Sequence, residues 1–146
     1  MTDVLFYVLA ATTPAEQLKF VCKLVEQVQA QGKKIYIQVD NEASAAMVND
    51  QLWTFRANAF VPHDLAATDR SIDECPVQIG WQQAPIAFHD VLINLSSTLP
   101  EFFARFERLV EVVIQEDVVL ESTREHYRYL RDRGYPIRHQ DMRLRT

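Results

Sequence analysis

The chain has 146 residues, 48% of them hydrophobic and 24% charged, with a formal net charge of −5. A chain of that size buries a sizeable core without disulfide or metal staples and suits one domain. Six prolines and three glycines exclude a collagen-like or low-complexity chain, and the longest apolar run, Val4 to Ala11, is too short to cross a bilayer.

Val4–Leu9 is apolar throughout and predicts a central strand. Thr13-Pro14-Ala15-Glu16 then announces a helix, with Thr13 as N-cap, Pro14 in the first turn and Glu16 reaching back. Leu18, Val21, Cys22, Val25 and Val28 follow at helical spacing, and Gly32 supplies a left-handed stop. Lys34–Val39 predicts a second strand. Asn41 caps a second helix to about Phe55, with Met47, Val48 and Leu52 inward. Asn58–Asp64 is irregular because Pro62 blocks a regular element. Pro76–Trp81 and Val91–Leu95 predict two strands, and their short connection suggests an antiparallel pair. Thr98-Leu99-Pro100-Glu101 starts a helix carrying Phe102, Phe103 and Phe106. Leu109–Ile114 is the next strand, and Asp117 opens a last helix that stops at Gly134.

This order predicts an α/β fold. It is one domain with an open, twisted, mostly parallel (mixed) sheet and helices on both faces, Rossmann-like without a phosphate-binding loop. Residues 1–137 make the domain, and 138–146 form a basic, loosely held tail. No basic residue precedes the first apolar run, so a signal peptide is not expected. Cys22 and Cys75 form no CxxC pair, and Cys22 sits on an apolar helix face. Both observations suit a reducing, cytoplasmic setting.

The glycines argue against a nucleotide. Only Gly32, Gly80 and Gly134 occur, and none lies in Ala10-Ala11-Thr12-Thr13-Pro14 between the first strand and first helix. His63, His89, His126 and His139 form no metal-binding spacing, so no metal or cofactor is expected. His63-Asp64 and His89-Asp90 are adjacent pairs, and neighbours on a strand point to opposite faces. Ser96-Ser97 lacks the GxSxG elbow. A small nucleotide-dependent enzyme on a Rossmann-like sheet stays as the alternative, through residues converging from distant positions.

The charge is unevenly spread. Residues 124–146 hold Arg124, Arg128, Arg131, Arg133, Arg138, Arg143 and Arg145 against Glu125, Asp132 and Asp141, a balance of +4, which leaves −9 on residues 1–123. The body repels nucleic acid and the C-terminal end attracts anions. Arg124, Tyr127, Arg128 and Arg131 share one helix face at i, i+3, i+4 and i+7. Guanidinium forks match carboxylates bidentately and stack on rings. The alternative is a solvated face paired with Glu121, Glu125 and Asp132. A second cluster, Leu52-Trp53-Thr54-Phe55 with Phe60-Val61-Pro62-His63, is either a satellite core or an aromatic patch that receives a partner.

These residues carry a resemblance. Leu5-Phe6-Tyr7-Val8-Leu9, the LW…FVPH stretch at Leu52–His63, the strand Asp90–Ser96, and Glu116-Asp117 with Arg124-Glu125-His126-Tyr127-Arg128 and Gly134-Tyr135 resemble the chi subunit family of bacterial DNA polymerase III. The resemblance covers nearly the whole chain, and LW…FVPH is its most specific part. It implies a non-catalytic accessory subunit of the clamp-loader assembly. Such a subunit pairs with the psi subunit and binds the acidic, phenylalanine-ended tail of single-stranded DNA-binding protein. By resemblance, Trp53, Phe60, Val61 and Pro62 carry the psi contact, with His63 shaping the loop. The tail site uses Val113, Arg124, Tyr127 and Arg128, with Arg131 and Gly134 at its edge. Arg124 takes the terminal carboxylate, Tyr127 and Val113 wall the ring, and Arg128 and Arg131 meet upstream acids. The family pattern admits a further basic residue one turn before Arg124, where this chain has Leu120.

Overall fold

An apolar strand flanked by a capped helix is the first thing the chain builds. Asp3–Val8 forms β1 and Pro14–Ala30 forms α1. The Glu16 amide donates to Thr13 Oγ1 at 3.3 Å, and the Thr13 hydroxyl donates to the Glu16 carboxylate at 2.9 Å. These coordinates are a computed structural model that describes residues 1–55, 64–65, 77–82 and 88–143, with the backbone alone for 53–55 and 64–65.

The remaining elements are β2 (Ile35–Gln38), α2 (Glu42–Phe55), β3 (Asp64–Leu65), β4 (Val77–Gly80), β5 (Val91–Asn94), β6 (Arg108–Val113), α3 (Asp117–Asp132) and β7 (Ile137–Asp141). They assemble one sheet in the order β3-β4-β2-β5-β6-β1-β7. Every described pair is parallel.

Side chains alternate across this sheet, as the pleat requires. Val110 and Val112 face α1 and α2 together with Ile35, Ile37, Val77, Ile79, Val91 and Ile93. Leu109 and Val113 face the other way, with Val4, Phe6, Tyr36 and Leu92 under Leu130 of α3. The expected single α/β domain with an open, mostly parallel sheet and helices on both faces is present, and every described strand pair is parallel.

Four differences have physical reasons. β4 and β5 are not an antiparallel pair, because each pairs in parallel with opposite edges of β2. Crossing β2 spans only about 10 Å, twice the strand spacing, a distance that a short connection can bridge. β3, Asp64–Leu65, begins at the last residue of the stretch expected to be irregular. The segment after Pro100 is a 3-10 helix, Glu101–Arg105, with no side-chain cap. In α2, Val48 and Leu52 point inward as expected, but Met47 is 58% exposed and Ala45 is buried in its stead. Asn41 does cap that helix, accepting from the Ser44 amide at 2.9 Å.

The expected loose tail is also ordered at its start. Ile137–Asp141 pairs with β1 along Val4↔Ile137 to Val8↔Asp141. β1 is central only because β7 takes up its second edge. Gly134 makes the reversal possible at φ +79, where Cβ-bearing residues are strained. The Tyr135 amide donates to the Leu130 carbonyl at 3.2 Å and closes the helix end.

Cys22 is 3% exposed among the α1 core residues, and burial pushes its thiol up to about 11. Thiolate is the reactive form. Cys22 is therefore expected to resist iodoacetamide at neutral pH in the folded protein and to label after denaturation, read by peptide mass spectrometry. Rapid native labelling of Cys22 would contradict this packing.

Candidate functional site

The helix α3 runs back over the sheet from the C-terminal end of β6 toward the start of β7. Its face toward β1, β6 and β7 bounds a cavity of about 450 Å³. Arg124, Tyr127, Arg128 and Arg131 line it from one face of α3, and Val113 lines it from β6. Gly134 does not line it, and its role is to end α3. Five further residues join the walls: Phe6 and Val8 from β1, Leu120 and Thr123 from α3 and His139 from β7. His139 stacks on Phe6, with centroids 5.5 Å apart and planes 16° apart. Tyr127 meets both rings, at 5.5 Å from His139 and 6.1 Å from Phe6. Leu120, one turn before Arg124, is half-buried and supplies apolar wall.

The electrostatics separate the arginines. Arg131 pairs with Asp132 at 3.2 Å and lies 5.8 Å above the Tyr127 ring. Arg133 stacks on Tyr129 at 3.6 Å. Arg124 and Arg128 are exposed, and neither meets an acidic side chain among the described residues. A face paired throughout with Glu121, Glu125 and Asp132 is therefore not what α3 presents. The result is an apolar floor with two uncommitted guanidinium groups at the rim, which suits a ligand that is apolar at its end and anionic around it.

Beneath α3 lies a second polar arrangement. Glu111 points from β6 into the α3 side of the core and is 4% exposed. Both its oxygens lie 2.9 Å from His126 Nδ1, and His126 Nε2 is 3.1 Å from the Ser97 carbonyl. Asn94 Nδ2 donates to Glu111 at 3.1 Å and to the Thr98 carbonyl at 3.2 Å. A carboxylate and a carbonyl both accept, so the ring fits there with a proton on each nitrogen. Burial opposes that charge, but the Glu111 hydrogen bond and charge, the Ser97 carbonyl and Glu125 outweigh it and raise the His126 pKa. The only hint in the sequence is a lone acid inside the apolar run Leu109–Ile114.

His89 and Asp90 do converge, at 3.5 Å, because they precede β5 and escape its alternation. Glu107 joins them, with the three sets of ligand atoms all within 4.8 Å of one another. The Asp90 carboxylate also accepts from the Lys34 amide at 2.8 Å, and Glu107 lies 3.9 Å from Lys33. The aromatic cluster Phe60, Val61, Pro62 and His63 lies outside the described residues, and Trp53 is placed only as backbone in the last turn of α2.

The crevice that would hold a nucleotide is closed. In open α/β sheets it lies beyond the strand C-termini where neighbouring strands send their helices to opposite faces, here between β1 and β6. The Leu9 amide donates to the Val113 carbonyl at 2.8 Å, and the Gln115 amide to the Ala11 carbonyl at 2.8 Å. Gln115 Nε2 donates to the Leu9 carbonyl at 2.9 Å, and Gln17 Nε2 to the Val112 carbonyl at 2.8 Å. The backbone there is already bonded, which argues against the nucleotide-dependent alternative. Among the described residues, no helix is long and apolar enough to cross a membrane.

Comparison with known proteins places the chain in one family over nearly its whole length. The family model described as DNA polymerase III chi subunit, HolC, matches residues 1–138. The DNA polymerase III subunit chi of Pseudomonas aeruginosa is 38% identical over 144 residues, covering 99% of this chain and 98% of that protein. The proteins of the same name from Escherichia coli K12 and Haemophilus influenzae are 31% and 29% identical, covering 94% and 90% of this chain and 96% and 92% of theirs. The chain belongs to the DNA polymerase III chi subunit family.

Proposed function

We propose that this chain is a non-catalytic accessory subunit of the polymerase III clamp-loader assembly. Its α3 cavity binds the acidic, phenylalanine-ended C-terminal tail of single-stranded DNA-binding protein. The observation that carries this reading is the apolar cavity of Phe6, Val113 and Tyr127 rimmed by Arg124 and Arg128, which meet no acidic side chain among the described residues. Arg124 takes the terminal carboxylate, Tyr127 and Val113 hold the ring, and Arg128 and Arg131 meet upstream acids. Arg124 and Arg131 stand about 10 Å apart along the helix, the span of about three extended residues. Gly134 acts from the edge, by setting where α3 ends. The psi subunit is received by Trp53, Phe60, Val61, Pro62 and His63. The protein works in the cytoplasm as a monomer or as a heterodimer with psi, and it reaches nucleic acid mainly through its partners. The −9 balance on residues 1–123 supports that indirect route.

Titration with a synthetic aspartate-rich peptide ending in phenylalanine tests the site. Arg124→Ala is expected to lose at least ~1.5 kcal/mol of binding, about tenfold in Kd. Added salt weakens the wild-type complex. Amidating the peptide terminus produces the same loss as Arg124→Ala and little more when the two are combined. Equal affinity of wild type and variant would remove Arg124 from the carboxylate role.

A further inference from the structure

β7 is the last strand of the sheet, and no described strand covers its outer side. Its pairing with β1 uses alternate residues. The Val4 amide donates to the Pro136 carbonyl at 3.0 Å, and the Met142 amide donates to the Val8 carbonyl at 2.8 Å. In a parallel ladder that parity runs through Arg138 and Gln140. The main-chain N–H and C=O groups of Ile137, His139 and Asp141 therefore point outward in the sheet plane. Such an edge is a template for another strand unless charge, proline or a covering loop blunts it. Here Asp141 is held by Arg143 at 2.7 Å, which neutralises the one acid on the strand.

The α3 cavity opens beside this edge, because His139 is both a cavity wall and the middle residue of β7. Arginines stand on either side of it. Arg128 and Arg131 come from α3 over one face of the sheet. Arg138 projects to the other face, the side on which Met142 packs with the α1 core. An extended peptide on the edge alternates its own side chains between these two faces.

We propose that β7 is a docking edge for an extended acidic peptide. The segment upstream of the group held in the cavity adds to the sheet as an eighth strand. It hydrogen-bonds to the outward main chain of Ile137, His139 and Asp141 and sends successive acids alternately toward Arg128 and Arg131 or toward Arg138. The strand runs parallel to β7. α3 runs opposite to the strands, so Arg131 lies toward the start of β7 and Arg124 toward its end. A terminal carboxylate at Arg124 therefore fixes the peptide direction. This mode of recognition takes affinity from main-chain bonds and specificity from alternate side chains. It rests on the tail-binding reading above and extends it from a pocket to a strand.

Amide hydrogen exchange by NMR on the full chain, with and without the aspartate-rich peptide ending in phenylalanine, tests the edge. The amides of Ile137, His139 and Asp141 are expected to become at least about tenfold more protected on binding. Arg138 and Gln140, already bonded to β1, change little. Single N-methyl groups along the peptide backbone are expected to weaken binding about fivefold at alternate positions and to be silent between them, each removing one hydrogen bond. A peptide that binds with unchanged affinity through the N-methyl series, leaving the three amides unprotected, overturns the edge and leaves the cavity standing. Failure of the peptide to bind at all overturns both. Protection of the same amides without peptide, rising with protein concentration, would assign the edge to a second copy of the chain and also overturn the proposal.

Discussion

Replacing Glu111 with alanine is expected to cost about 3–5 kcal/mol of folding stability, the range for removing one partner of a buried ion pair. The cost comes from what is left behind. His126 would stay buried with its Nδ1 hydrogen facing no acceptor, and Asn94 Nδ2 would lose one of its two partners. The His126 and Leu130 side chains are the only ones α3 buries fully. The helix that carries the arginines is thus fastened to the sheet by a polar joint as well as by Leu130, Leu120 and Tyr127 of its apolar face. In thermal unfolding the loss corresponds to a fall of about 10 °C for a chain of this size. A change of less than about 1 kcal/mol would show that the joint is not what holds α3.

The same joint gives stability a pH dependence of known sign. The folded-state His126 pKa is raised above its ordinary value by the Glu111 hydrogen bond and charge, against the opposing effect of burial. A raised folded pKa means that the contribution is fully present below the unfolded value of about 6.5 and is lost as pH rises through the folded-state value. Glu111→Gln keeps the shape and removes the charge. Its deficit relative to wild type is expected to be larger at pH 6 than at pH 9 by denaturant unfolding. An equal deficit at both would place His126 in the neutral form.

Legibility in the sequence followed period and length. The α3 face was readable because Arg124, Tyr127, Arg128 and Arg131 repeat at helical spacing, and a helix long enough to show a face keeps that face. The cavity floor was not. Phe6 and Val8 read only as core of a central strand, and nothing local says that α3 crosses above them. β7 has the sequence Ile-Arg-His-Gln-Asp, which lacks an apolar alternation. It is a strand because β1 needs a neighbour on its outer edge, a condition set by topology and invisible in five residues. Glu111 did leave a signal. An acid within Leu109–Ile114 is a buried charge, and a buried charge requires a partner. The partner is His126, fifteen residues on and unmarked by any motif.

Tyr127→Ala is expected to weaken peptide binding by at least ~2 kcal/mol, about thirtyfold in Kd, because central aromatic walls carry disproportionate binding energy. Tyr127 touches Phe6 and His139 on one side and lies under Arg131 on the other, so its ring both lines the cavity and holds its neighbours in place. Salt separates this role from that of Arg124. Screening weakens exposed charge contacts and leaves apolar burial almost unchanged. The Arg124→Ala deficit should therefore shrink as salt is raised, whereas the Tyr127→Ala deficit should persist. Arg133→Ala is the matched control: that guanidinium stacks on Tyr129 and is absent from the cavity lining. Tyr127→Phe, which keeps the ring, should bind nearly as wild type and shows whether the alanine effect is one of shape. A Tyr127→Ala deficit that disappears with salt would mean that the ring only positions charge. In that case the cavity would not hold the terminal phenylalanine.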